Sequence, residues 1–147
     1  RDLHPENTLS LHDALPIYSM AHKIGGVFHI AHGLANAIFL PYVIDFNKKS
    51  CGDRYATIAR SLNLAGNTED ELIDSLTDMI RDLNKAMNIP SSLNENGMTK
   101  EEFDANVDFI AENAIKDACT GSNPRPINVC EMKKILTCTF TGEKVDF

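Results

Sequence analysis

Ser19-Met-Ala-His22-Lys-Ile-Gly-Gly-Val-Phe-His29-Ile-Ala-His32-Gly-Leu-Ala-Asn-Ala37 holds three of the chain's five histidines and leads into its longest apolar stretch. The histidines form an H-x6-H-x2-H array, and His29 and His32 stand one turn apart if that stretch is helical. Imidazole is a good ligand for iron, zinc, nickel or copper. Clustered histidines also serve as hydrogen-bonded core or surface residues, so spacing alone leaves both readings open.

Working outward, residues 33–47 are apolar nearly all round, which predicts a core helix. Pro41 is expected to bend it or split it in two. Residues 51–64 place Tyr55, Ile58, Ala59 and Leu62 at helical spacing and stop at Asn63-Leu-Ala-Gly66. Thr68-Glu-Asp-Glu71 and Thr99-Lys-Glu-Glu102 are capping boxes, each opening a helix. The first of these helices carries the stripe Leu72, Ile73, Leu76, Met79, Ile80, Leu83 and Met87, read as packing. Its Asp70, Asp74, Asp78 and Asp82 read as a solvated face. Residues 119–128 are turn-rich, with Gly121, Asn123-Pro124 and Pro126. Asn128-Val-Cys-Glu131 caps a last helix, and residues 142–147 form a short tail expected to fray. Nothing alternates in strand fashion for long. The predicted architecture is an all-α bundle.

At 147 residues the chain suits one compact domain, and its net charge of −7 argues against a nucleic-acid partner. Its longest apolar run is interrupted by Asn36, Pro41 and Asp45, so no membrane span is expected. Cys51, Cys119, Cys130 and Cys138 make no C-x-x-C pair. They are expected to be reduced, mostly buried thiols in a cytoplasmic protein.

The histidine stretch resembles the metal-binding segment of iron-dependent (group III) alcohol dehydrogenases, roughly H-x-M-A-H-x-x-G…P-H-G-x-A-N-A. Asp117-Ala-Cys-Thr-Gly-Ser-Asn-Pro-Arg125 resembles a second motif of that family, and Leu34-Ala-Asn-Ala-Ile-Phe-Leu-Pro-Tyr42 is similar as well. The likeness covers residues 18–147, and extends to stand-alone enzymes and to the alcohol dehydrogenase half of bifunctional aldehyde/alcohol dehydrogenases. It implies part of the C-terminal helical domain of a dehydroquinate synthase-like, iron alcohol dehydrogenase fold.

The resemblance implies a divalent metal, Fe(II) with zinc possible, held by one Asp and three His. Two of those ligands belong to an upstream segment, and the other two map to position 18 and His32. Tyr18 stands at a ligand position where the natural residue is expected to be His. His22 is implied as the catalytic residue that orients substrate or relays a proton. His29 and Cys119 are implied to lie beside the metal or along the cleft. Ala31 replaces the family's usual Pro before the ligand histidine. Arg125 is expected to pair with a carboxylate or cap helix carbonyls. The implied reaction is metal-assisted hydride transfer between a small alcohol or aldehyde and NAD or NADP. The nucleotide would be bound mainly by an N-terminal domain missing here, in an enzyme expected to be a homo-oligomer. Two other readings are a non-catalytic helical interaction module and a zinc-dependent glycerol dehydrogenase relative.

Residues 1–17 read differently from the rest. Thr8-Leu-Ser-Leu-His-Asp-Ala-Leu-Pro-Ile17 looks like the in-frame translation of a sequencing-library adapter, so this head is expected to be foreign to the gene. A disordered N-terminal arm is the other reading. An adapter joined inside a His codon would yield Tyr at position 18, since the two codons differ only in their first base.

Overall fold

The computed structural model describes residues 15–147; residues 1–14 of the head lie outside the described residues. Among the described residues every regular element is helical. These are α1 (Leu15–Phe28), α2 (His32–Ser61), α3 (Glu69–Ala86), α4 (Lys100–Ile115), a 3₁₀ turn (Thr120–Ser122) and α5 (Val129–Thr141). Helix α1 starts before Ser19, and Ile17 belongs to the core. The larger core joins α1, the first half of α2, α4 and α5 around Met20, Ile24, Phe39, Ile110 and Ile135. A smaller one fills the α2–α3 contact with Tyr55, Ala59, Ile73 and Leu76.

Local sequence starts three of these helices. Thr68, Thr99 and Asn128 each accept the third helical N–H, while Glu71, Glu102 and Glu131 each reach back to the cap N–H. Gly142 ends α5 in the left-handed conformation, at φ 87°.

Pro41 does not split α2, whose helical dihedrals run through it. The one non-helical residue inside α2 is Cys51, at φ −141° and ψ 32°, where a new helix was expected to begin. Pro41 has no N–H to offer the Ala37 carbonyl. Asn84, on α3, supplies the donor instead, with Nδ2 2.8 Å from that oxygen. Asn84→Ala would strand a carbonyl in the α2–α3 contact, and urea denaturation should show a loss of about 1–3 kcal/mol.

The α3 stripe holds for Leu72, Ile73 and Leu76 but not for Leu83 and Met87, which are more than half exposed. The inward row runs through Thr77, Arg81 and Asn84, turning Leu83 and Met87 outward. Arg81 Nη2 meets Asp45 Oδ2 at 3.1 Å and Nη1 meets Asp78 Oδ1 at 3.4 Å. The Asp45 side chain is fully buried, and its Oδ1 has no hydrogen-bond partner.

Burial pushes the Asp45 carboxyl above its ordinary value, and Arg81 pulls it part-way back. A carboxyl so raised binds protons more tightly in the folded chain than in the unfolded one. Its stabilising contribution is full below the ordinary value of 3.8 and is lost as pH rises through the folded value. Asp45→Asn should therefore raise stability at neutral pH and lose that advantage in acid. Denaturation midpoints across pH 3–7, on the order of the carboxyl range, would show it.

The tail does not fray. Val145 is buried, Phe147 packs against Phe46 with ring centroids 6.1 Å apart, and Lys144 Nζ bonds Asp74 Oδ1 at 2.7 Å. All four cysteines are free, but only Cys51 is buried and Cys130 is exposed. Thiols pack by local shape, which spacing along the chain does not encode. None of the described helices is long and apolar enough to cross a membrane.

Candidate active-site face

Tyr18 and His22 lie one turn apart on α1, so their side chains share a face. The chain then reverses at His29, whose φ is 56°, and enters α2 at His32. Gly25 makes this turn possible, because a Cβ there would sit 3.0 Å from the Ile30 carbonyl oxygen. Ala31 holds φ −56° and ψ 133°, dihedrals open to proline, so the expected proline's absence leaves the backbone path unchanged.

The turn brings the His32 ring against both α1 side chains. Its centroid is 5.8 Å from Tyr18, at an interplanar angle of 20°, and 5.1 Å from His22, at 24°. His29 is exposed and outside this stack. Spacing along the chain had paired it with His32, but its left-handed backbone ends the helix between them. Asn36 Nδ2 lies 3.2 Å from His32 Nδ1, while Asn36 Oδ1 is buried without a hydrogen-bond partner among the described residues.

The second motif closes onto the same face. Asp117 Oδ2 lies 3.5 Å from His22 Nδ1 and 3.3 Å from Lys23 Nζ, and Oδ1 accepts the Cys119 N–H at 3.1 Å. The Cys119 N–H does most to hold the Asp117 carboxyl below its ordinary value, with Lys23 and His22 adding to it. Desolvation, then Asp117, pushes the Cys119 thiol up. Cys119 therefore stays protonated beside the face and is a poor thiolate ligand. The Thr120 and Ser19 hydroxyls share a 2.8 Å hydrogen bond that pins the loop to α1.

Further along, Asn123 and Asn47 exchange amide hydrogen bonds at 2.8 and 2.9 Å. Arg125 Nη1 donates to the main-chain oxygens of Phe46 and Phe147, at 2.7 and 2.9 Å, and Nη2 meets Glu131 at 3.4 Å. Its guanidinium also lies 3.8 Å from the Phe46 ring centroid. Arg125 thus caps carbonyls and pairs a carboxylate. Asn36, Asn47 and Asp117 carry much of this assembly; Asn36 and Asp117 stand inside the quoted motifs but were given no role there, and nothing in the sequence singled out Asn47.

His32 suits a divalent metal, and the Tyr18 phenol, a neutral oxygen donor, suits it poorly. Among the described residues no three His, Cys, Asp or Glu side chains come together to hold a metal ion. The face fits one side of a metal site and is not a complete one.

Residues 10–140 match the model of the Fe-containing alcohol dehydrogenase family, C-terminal domain. The chain belongs to this family. It is 58% identical over 130 residues to the NADPH-dependent butanol dehydrogenase of Clostridium saccharobutylicum, covering 88% of the chain and 34% of that protein. It is 38% identical over 142 residues to the bifunctional aldehyde-alcohol dehydrogenase of Escherichia coli strain K12, covering 85% of the chain and 16% of the relative. A solved 1,3-propanediol oxidoreductase superposes with TM-score 0.77 and 29% identity, over 85% of this chain and 32% of that one. An alcohol dehydrogenase from Oenococcus oeni superposes with TM-score 0.74 and 30% identity, over 84% and 32%. The chain therefore spans about a third of the butanol dehydrogenase and of these two structures. Its all-helical fold matches the C-terminal part of such enzymes.

Proposed function

We propose that this chain is the C-terminal helical part of a metal-dependent alcohol dehydrogenase that interconverts an alcohol and an aldehyde or ketone with NAD or NADP. The observation that carries the reading is the meeting of two motifs about ninety-five positions apart: His22 and His32 on one face, with Asp117 and Cys119 beside them. A plain helical bundle needs neither motif.

In this reading His32 is the metal ligand this chain contributes, and position 18 is a second ligand position, occupied here by Tyr18. The remaining ligands and most of the nucleotide site come from the two thirds of the family protein that the chain does not span. A divalent metal, iron or zinc, would supply Lewis-acid polarisation of the substrate oxygen. His22 orients that oxygen and accepts or returns the hydroxyl proton, and a bound nicotinamide would supply the acceptor or donor of the hydride. Asp117 holds the His22 ring through Nδ1. Cys119, neutral and half-buried, lines the cleft.

The purified chain by itself should give no alcohol-dependent reduction of NAD or NADP. A chimera with the preceding two thirds of the Clostridium saccharobutylicum enzyme, carrying Tyr18→His, should produce NADPH from butanol. Adding His32→Ala should abolish it. Activity from the isolated chain, or a folded chimera indifferent to His32, would overturn the assignment.

A further inference from the structure

We propose that Asn36 is the positioning residue that selects the tautomer of His32, accepting the Nδ1 proton on its amide oxygen so that Nε2 keeps a free lone pair. The inference rests on His32 being the metal-facing imidazole, and goes beyond that assignment to the group that prepares the ring.

Asn36 follows His32 by four residues on α2, so its side chain lies against the ring one turn away. The amide sits 3.2 Å from Nδ1 through its nitrogen. Its oxygen is then enclosed with no hydrogen-bond partner among the described residues. Oxygen and nitrogen of an amide exchange places by a half-turn of the terminal torsion, and the hydrogen-bond network decides between them. Exchange sacrifices nothing on the enclosed side, because Oδ1 makes no bond there.

On the imidazole side the exchange decides the chemistry. With nitrogen toward Nδ1, that atom is an acceptor and the neutral ring carries its proton on Nε2, where no lone pair remains for a cation. With oxygen toward Nδ1, the proton sits on Nδ1 and Nε2 becomes the acceptor. A ligating histidine characteristically donates its other ring N–H to an oxygen in this way. The neighbours on the ring faces, Tyr18 and His22, stack on His32 and do not compete for its in-plane nitrogens through any hydrogen bond among the described residues.

The test is nitrogen NMR of the 147-residue chain labelled at histidine, without metal, at a pH where the imidazoles are neutral. His32 should appear with its proton on Nδ1. Asn36→Leu should move it to Nε2, the form an unconstrained imidazole favours, and Asn36→Asp, which only accepts, should restore Nδ1. Circular dichroism checks that all three chains stay helical. The same His32 tautomer in the wild-type chain and in a folded Asn36→Leu variant overturns the proposal, as does a proton on Nε2 in Asn36→Asp. The readout needs no bound metal, so a failed tautomer shift and a failed metal site are told apart.

Discussion

Tyr18→His should raise the affinity of this chain for Zn²⁺ by on the order of 100-fold. A four-ligand zinc site is worth roughly 10–16 kcal/mol, so one imidazole contributes about 3 kcal/mol, or about two decades in affinity. Position 18 is placed beside the histidine proposed as the metal ligand. It lies one turn from His22 on α1, and its ring faces His32 across 5.8 Å. What it lacks is the donor, since a neutral phenol is a weak ligand for a borderline cation. Calorimetric titration of both chains with Zn²⁺ would measure the difference. Equal affinities would remove position 18 from the ligand set and leave the stack as packing. Sequencing the source gene across codon 18 is an independent check, and a His codon there would agree with the titration.

Arg125→Met should destabilise the chain by about 3–5 kcal/mol, a large share of the 5–15 kcal/mol typical of a domain. Arg125 is mostly enclosed and donates to carbonyls of α2 and of the tail, with Glu131 and the Phe46 ring as further partners. Hydrogen bonds from a charged group are worth about 1.5–3 kcal/mol each, and an exposed cation–π contact adds about 0.5–1. Arg125→Lys should recover only part of the loss, because an ammonium lacks the planar fork that reaches several acceptors at once. Thermal unfolding of the three chains tests this. A midpoint unchanged in Arg125→Met would mean that the loop is held by Asn123 and Thr120 without it.

How much could be read in advance follows from how far each interaction reaches along the chain. The boxes Thr68–Glu71, Thr99–Glu102 and Asn128–Glu131 involve residues three apart, and all three form as read. The place of Pro41 could not be read this way. Its effect depends on Asn84, which lies forty-seven positions after Ala37 and satisfies the Ala37 carbonyl that the proline leaves bare. The α3 stripe failed at Leu83 and Met87 for a related reason: Arg81 and Asn84 found partners on α2, in Asp45 and the Ala37 carbonyl, while the buried Thr77 hydroxyl bonds the Asp74 carbonyl within α3.

At the candidate site, the residue types and their motifs singled out His22, His32, position 18 and the Asp117–Arg125 loop as candidates, because each motif is a contiguous run. By itself the sequence thus determined the helices, their caps and the family. Only the tertiary structure decided which of these side chains meet. It excluded His29 by a left-handed backbone turn, stacked His32 against both Tyr18 and His22, and brought Asp117 to His22 across ninety-five positions. Helix propensity and capping are settled within a turn or two, whereas a shared ring face or an amide against a ring nitrogen exists only once the helices have packed.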